Sequence, residues 1–384
     1  VGSKEWKVYN PAGAKRVVVT KELPGKRWLD VLFQAGCQVE VCSATEILSA
    51  AEIKTAIGNR CAGAIGQITE RWGEEMFAAL AKAGGKVYSN YAVGFDNVDL
   101  EAATRHGIAV GNTPGVLTET TAQMAVALTF AAARRVSEAE RYLCEGKYKG
   151  WLPTLFLGNL LWRKTLGVIG AGRIGTAYAL MMVEGHKMNL IYFDPHIKKR
   201  LEDYLSGYNG FLAARKLPTL TCKRAEKIED LLREADCVSI HTILDESTRH
   251  LINKERLALM KDDAVLINTS RGPVIDEVAL VEHCRTHPNF RVGLDVFENE
   301  PETEPGMLEL DNVVKVPHIA SATSWTRRGM ATLAASNVAA ILMGRPVWQK
   351  TDISPFLGGL SPAAAPSILN AKELGIAQYA ERNF

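Results

Sequence analysis

Paired metal ligands are missing from this 384-residue chain. No two of its cysteines are spaced Cys-x-x-Cys, and no histidine pair stands near them at ligand spacing, so no metal centre is expected. The seven cysteines, at 37, 42, 61, 144, 222, 237 and 284, are odd in number and scattered. They read as reduced core residues of an intracellular protein, not as a disulfide framework. An excess of charge of one sign is also missing, with 45 Lys and Arg against 43 Asp and Glu. A net charge of +2 excludes a strongly basic nucleic-acid binder. No long apolar run occurs either. Residues 122–133 come nearest, but Gln123 and Thr129 interrupt them and Arg134-Arg135 closes them. That is too short to span a bilayer, and no membrane partner is expected. The chain begins at Val1 and not at Met, which reads as a processed or trimmed N-terminus. It ends Glu381-Arg382-Asn383-Phe384, which is neither a Ser-Lys-Leu type address nor an ER-retention signal.

What remains is ordinary globular material: 47% hydrophobic and 23% charged residues, enough for a sizeable core in each of two or three domains. Apolar runs at 16–20, 38–42, 62–66, 86–89 and 108–110 alternate with helix-like stretches such as 46–57 and 74–82. This alternation predicts a parallel α/β sheet of about five strands before residue 115. After the turn signal Thr113-Pro114-Gly115, residues 118–142 are rich in helix formers and predict one long helix. A second series of runs follows at 165–169, 189–193, 237–241, 264–268, 291–296 and 313–316. Six strands with intervening helices make a complete dinucleotide-binding fold. Residues 201–223, with Gly207, Gly210 and Pro218, interrupt the spacing and read as a surface insertion. A last helix over 324–343 leads into Pro- and Ala-rich residues 354–367, which read as a loosely packed tail.

Gly170-Ala171-Gly172-Arg173-Ile174-Gly175 matches G-x-G-x-x-G. The pattern alone is weak. Here it directly follows an apolar run and opens a helical stretch, which is the context its chemistry needs. Gly170 permits the tight turn, Gly172 lets the backbone approach a pyrophosphate, and Gly175 lets helix and strand pack closely. The helix N-terminus supplies free N–H groups for the phosphates. Asp194 ends the next strand, where a carboxylate binds ribose hydroxyls and repels a 2′-phosphate, favouring NAD over NADP. The alternative is a glycine-rich turn without a cofactor. Lys198, Lys199 and Arg200 follow closely and leave weaker use of NADPH open. Read without a cofactor, they form a solvated helix face.

In open α/β sheets, ligands bind beyond the carboxyl ends of the strands. Arg271 follows the strand at 264–268, Glu300 the strand at 291–296 and His318 the strand at 313–316. All three project from the edge that carries the phosphate loop. Reduction of a ketone leaves an alkoxide that needs a proton, which His318 can give. Glu300 can hold the imidazole in one tautomer, and Arg271 can grip a carboxylate with two N–H groups. Each also has a plain structural reading: a core histidine, a surface acid, a loop brace. The other seven histidines (106, 186, 196, 241, 250, 283 and 287) are read as structural.

These residues carry a resemblance. Val168 to Gly175, Asn268-Thr269-Ser270-Arg271-Gly272, Gly293-Leu294-Asp295-Val296-Phe297 with Glu300-Pro301, and Pro317-His318-Ile319-Ala320 resemble the D-isomer-specific 2-hydroxyacid dehydrogenases. Residues 90–97, 115–122, 150–153, 188–194 and 325–334 are similar to the plant-type hydroxypyruvate reductase branch of that family. The resemblance implies an α/β protein of two Rossmann-like domains, a flavodoxin-like substrate domain and an NAD-binding Rossmann domain, with an interdomain cleft. The substrate domain would be 1–117, returning with the tail at 323–384, and the NAD-binding domain 118–322. It implies NADH-dependent reduction of hydroxypyruvate to D-glycerate, with glyoxylate slower, in photorespiration.

Catalytic roles then fall on Arg271, Glu300 and His318. The backbone around Val93 and Gly94 would meet the substrate carboxylate. Thr121, Arg173, Ile174, Asp194, His241, Thr269, Asp295 and His318 fall at cofactor positions. His241 lacks the proline usual shortly after it. The resemblance also implies a homodimer, with the long helix and residues 150–161 at its interface and Trp151 near the neighbouring site. Relatives of this type are peroxisomal. The two chain ends together leave mitochondrion or peroxisome as the expected compartment. The alternatives are a sibling dehydrogenase such as a glyoxylate reductase, and an NAD-sensing corepressor that shares the fold.

Overall fold

Short runs of valine, isoleucine and leucine build two separate sheets. The computed structural model describes residues 5–348, 350–358 and 361–379. The readings made on Val1 and on Glu381 to Phe384 lie outside them. The chain forms two compact units, one of residues 1–117 with 322–384 and one of residues 118–321.

In the first unit the strands are β1 (Trp6–Tyr9), β2 (Lys15–Val19), β3 (Cys37–Cys42), β4 (Gly63–Gly66), β5 (Val87–Asn90) and β6 (Ala109–Gly111), in the order β1-β3-β2-β4-β5-β6. Val17, Val18 and Val19 of β2 are fully buried, as expected of a strand covered on both faces. The sequence reading missed β1. It pairs antiparallel with β3 at the sheet edge, and its exposed Lys7 and Val8 give it no buried face to signal it. The helix Ser324–Leu342 packs on this sheet and is buried along most of its length. The tail after it is not loose. Phe356, Ala364 and Ala365 are buried. Backbone hydrogen bonds tie Ala365 to the segment around Val347, from the Trp348 N–H to the Ala365 carbonyl at 2.7 Å and from the Ala365 N–H to the Pro346 carbonyl at 2.8 Å. The small alanines allow this close approach, which composition alone read as looseness.

The second unit holds β7 (Thr165–Ile169), β8 (Asn189–Phe193), β9 (Cys222–Arg224), β10 (Cys237–Ile240), β11 (Val265–Asn268), β12 (Arg291–Leu294) and β13 (Val313–Lys315), in the order β13-β12-β11-β10-β7-β8-β9. All of its pairings are parallel, so the carboxyl ends of all seven strands share one edge. The strand β9 was not expected. It belongs to the segment read as a surface insertion, which is instead a helix, Lys199–Ala214, followed by this edge strand. Leu201, Leu205 and Leu212 form the helix's buried stripe. A Cβ on Gly207 or Gly210 would meet nothing, so neither glycine marks a break in the helix.

The long helix expected over 118–142 is two helices, Thr118–Ala133 and Val136–Cys144. The break is at Arg135, whose φ is 56°. There the Asn159 N–H donates to the Ala133 carbonyl at 2.8 Å, and the Arg135 guanidinium closes on Glu138 at 2.6 and 2.8 Å. A crossing segment of chain ends the helix, which no propensity scale could report. The cysteines are all free, but Cys144 is exposed and Cys222 half-buried, so two of the seven are not core residues. Among the described residues no helix is long and apolar enough to cross a membrane, and no group of His, Cys, Asp or Glu is placed to hold a metal ion.

The loops after β11 and β12 are clasped together behind the sheet edge. Glu277, buried at the start of the helix Glu277–Thr286, accepts the Glu298 N–H at 2.9 Å. Glu298 accepts from the Glu277 N–H at 3.4 Å and pairs with His250 at 2.6 Å. Burial pushes the Glu277 carboxyl up to about 7, with Glu298 and Glu304 adding negative charge nearby. A carboxyl whose folded pKa lies above its unfolded value stabilises the fold below the unfolded pKa and loses that contribution as pH rises through the folded one. Relative to Glu277→Gln, the wild-type chain should therefore lose on the order of 3 kcal/mol of stability between about pH 4.5 and pH 8. Urea denaturation of both proteins across that range checks this, and parallel curves would refute it.

Candidate active site

The phosphate loop leaves β7 and opens the helix Arg173–His186, whose N-cap Gly172 makes no side-chain cap hydrogen bond. The first N–H groups of the helix are therefore left for a ligand. The three glycines have different surroundings. Gly170 has φ +86°, and a Cβ there would come 2.8 Å from the His241 carbonyl carbon. A Cβ on Gly175 would sit 2.1 Å from the Gly170 oxygen. A Cβ on Gly172 would meet no atom of the described residues, so open space adjoins the helix terminus there and a ligand can approach the bare backbone. Arg173 beside it is exposed, and Ile174 is partly buried.

Asp194 is buried just past β8. Its Oδ1 accepts the His196 N–H at 2.9 Å and pairs with Lys198 Nζ at 2.9 Å. This corrects the reading of the three basic residues as one solvated face. Lys199 and Arg200 are exposed, but Lys198 turns back onto the acid. Arg224 of the edge strand donates to the Asp194 and Pro195 carbonyls at 3.0 and 3.2 Å. Thr269, directly after β11, is buried with no hydrogen-bond partner for its Oγ1 among the described residues, which suits a ligand contact. Helix terminus, bare Gly172, buried acid and orphan hydroxyl fit a dinucleotide. Thr121 is buried in the first turn of the helix Thr118–Ala133. His241 follows β10, where its Nε2 meets Ser239 Oγ at 2.8 Å. Desolvation lowers its pKa to about 3, so it is a neutral ring at physiological pH.

The catalytic candidates gather at the same edge. His318 Nδ1 lies 2.8 Å from Glu300 Oε2. Both side chains are partly open to solvent, 33% and 27% exposed, as a working acid–base pair must be. Burial pushes the Glu300 carboxyl up. The hydrogen bond and charge of His318, the Phe297 N–H at 3.0 Å and the charge of Arg271 outweigh it, and the carboxyl ends below its ordinary range. It is ionised at neutral pH, the form that accepts from an imidazole N–H.

Asp295 sets His318 in place. Fully buried, it accepts the N–H groups of Ile319 and Ala320 at 2.6 and 3.0 Å. Its own carbonyl takes the His318 N–H at 2.8 Å. His318 is thereby held at φ 50°, a left-handed conformation that costs energy in a non-glycine residue. Asp295 was expected at a cofactor position, and here both of its oxygens serve the histidine loop. Burial raises its pKa against the pull of those two N–H groups.

Sequence reasoning missed the residues that shape the Arg271 loop. Asn268 Nδ2 donates to the Arg271 carbonyl at 2.8 Å, and its Oδ1 accepts from the Ser270 N–H and hydroxyl at 3.0 and 2.7 Å. A Cβ on Gly272 would lie 1.9 Å from the Phe297 carbonyl, so the Arg271 and Glu300 loops touch through bare backbone. The glycine in Arg271-Gly272 was the available signal. Val93 and Gly94 belong to the other unit, in the loop after β5, where both are partly buried.

Comparisons with known proteins add a second line of support. A model of the D-isomer specific 2-hydroxyacid dehydrogenase NAD binding domain matches residues 126–320. The chain is 58% identical over 373 residues to "Glycerate dehydrogenase HPR, peroxisomal" of Arabidopsis thaliana, covering 96% of this chain and 97% of that one. It is 40% identical to the "Glyoxylate reductase" of Korarchaeum cryptofilum, over 86% of this chain and 93% of the relative. The crystal structure of the TT0316 protein from Thermus thermophilus matches with a TM-score of 0.74 at 41% identity, over 86% of this chain and 97% of that one. A likeness that runs through both units, and not through the nucleotide fold alone, means that the chain belongs to the D-isomer-specific 2-hydroxyacid dehydrogenases, oxidoreductases with an NAD-binding domain.

Proposed function

We propose that the chain reduces hydroxypyruvate to D-glycerate with NADH, and glyoxylate to glycolate more slowly. The observation that carries the chemistry is the 2.8 Å contact of His318 with Glu300 at the edge that bears the phosphate loop. What supports the substrate is the 58% identity to a protein named a glycerate dehydrogenase. Residues 1–117 with the return segment serve as the substrate domain and residues 118–321 as the NAD-binding domain.

Bound NADH supplies a hydride to the carbonyl carbon of the substrate. The chain's residues manage charge and protons around that event. Arg271 and the backbone N–H groups at Val93 and Gly94 hold the substrate carboxylate. Because Glu300 engages Nδ1 of His318, Nε2 is the nitrogen left to face the carbonyl oxygen. It donates its proton as the alcohol forms, and solvent returns one proton to the ring for each turnover. Glu300 fixes the ring and offsets the charge of the imidazolium. Arg173, Ile174, Thr121, His241 and Thr269 line the dinucleotide, and Asp194 takes its adenine ribose.

The exposed Trp151, Leu157 and Leu160, at 79%, 65% and 73%, support a homodimer covered over residues 150–161. The name of the Arabidopsis relative places that protein in the peroxisome, which supports a peroxisomal, photorespiratory role for this chain over a mitochondrial one. The glyoxylate-reductase relative favours a second reading, in which glyoxylate is the preferred substrate. Steady-state rates on a panel of 2-oxoacids separate the two.

Three measurements test these roles. His318→Gln should lower turnover about a hundredfold or more while NADH affinity by fluorescence titration is unchanged; unimpaired turnover refutes the assignment. Asp194→Ala should narrow the gap between the NADH and NADPH dissociation constants, and an unchanged gap would mean that another group sets the choice. Sedimentation should show a dimer that Trp151→Glu with Leu160→Glu dissociates; a wild-type monomer would overturn the interface.

A further inference from the structure

The loop after β5 has an unusual hydrogen-bond pattern. Three successive carbonyls are drawn into the protein. The Ala92 oxygen accepts the Thr113 N–H at 2.9 Å, the Val93 oxygen accepts Asn112 Nδ2 at 2.8 Å, and the Gly94 oxygen accepts Asn90 Nδ2 at 2.9 Å. Across a trans peptide the C=O and the following N–H point in opposite directions. Drawing these three oxygens inward therefore turns the N–H groups of Val93, Gly94 and Phe95 outward together. None of the three has a hydrogen-bond partner among the described residues. Three such N–H groups side by side form a concavity for an anion.

The amide of Asn112 is itself held from behind. Its Oδ1 accepts the Ser367 hydroxyl at 2.6 Å. Its carbonyl accepts Asn337 Nδ2 at 2.9 Å, and Asn337 Oδ1 accepts the Ser367 N–H at 2.9 Å. Asn337 is fully buried on the helix Ser324–Leu342, and Asn112 is almost so. A primary amide can turn either end toward a neighbour. The Val93 carbonyl can only accept, so it takes the NH₂ end, and the oxygen end is left to the Ser367 hydroxyl, which donates to it and holds the amide in place.

We propose that Asn112 and Ser367 are positioning residues for substrate binding: the C-terminal segment, through the Ser367 hydroxyl and the Asn112 amide, fixes the Val93–Gly94 peptide unit with the Gly94 N–H toward the substrate carboxylate. This rests on the reading of Val93 and Gly94 as substrate contacts. It adds that residue 367, at the far end of the chain, sets affinity for 2-oxoacids without touching them.

The test compares Ser367→Ala, Ser367→Thr, Asn112→Asp and Gly94→Val in the full chain. Ser367→Ala removes one hydrogen bond and should raise the KM for hydroxypyruvate, and the inhibition constant of malonate, about fivefold. The kcat should move less than about twofold, and the NADH dissociation constant should stay put. Ser367→Thr keeps the hydroxyl and should restore the wild-type KM. Asn112→Asp keeps the acceptor for Ser367 but removes the donor to Val93, and should raise KM further. Gly94→Val separates the two levels. If it raises KM while Ser367→Ala and Asn112→Asp do not, the loop binds substrate and the positioning role is overturned. If Gly94→Val leaves KM unchanged, the loop is not a substrate contact and both readings fall. Loss of thermal stability in Ser367→Ala with KM unmoved would make the residue structural only, and overturn the proposal.

Discussion

A single buried carboxylate organises the reactive edge of this protein. Asp295 has no solvent exposure and spends both oxygens on consecutive backbone N–H groups, those of Ile319 and Ala320. A buried charge is tolerable only when it is satisfied, and here satisfaction requires the chain after β13 to curl tightly around it. That curl forces His318 into a left-handed conformation and delivers its ring to Glu300.

The other loops at the edge are built on the same plan. Polar side chains just behind the strand ends take up the backbone groups that a sheet leaves unpaired. Asn268 does this for Arg271, and Glu277 with Glu298 joins the Arg271 and Glu300 loops. Asn90 and Asn112 do it for Val93 and Gly94 in the other unit. The candidate catalytic side chains and the N–H groups around Gly94 are thus carried on loops fixed from behind. Rigidity comes from buried amides and carboxylates, whose hydrogen bonds are strongest where water is excluded.

Near-neutral net charge gains meaning in this setting. With a net charge of +2, the long-range field of the protein offers little attraction for a small anion. Affinity for carboxylates and phosphates must come from local groups, and those we propose for it are the Arg173 helix N-terminus, Arg271 and the N–H groups around Gly94. The ion pair of Lys198 with Asp194 works in the same local way, since it tempers the charge of the acid to which we assign the adenine ribose.

The alternation of apolar runs and helix formers determined the parallel strands at the centre of both sheets, because strands buried on both faces must be continuously apolar. The glycines at 170, 172 and 175 marked the phosphate loop, since only a backbone without side chains folds and packs that way. Arg271, Glu300 and His318 were legible because each follows a strand end closely. Tertiary structure alone decided the rest. β1 and β9 are edge strands with little buried surface, so their sequences carry no apolar signature. The helix after Thr118 stops at Ala133 because Asn159 arrives there from a later part of the chain. The alanine-rich tail is packed because small residues let its backbone approach its neighbours, a fact about what surrounds it. Asp295, Asn112 and Ser367 meet their partners only through folding, and local sequence encodes a side chain's chemistry without encoding which distant backbone group it will meet.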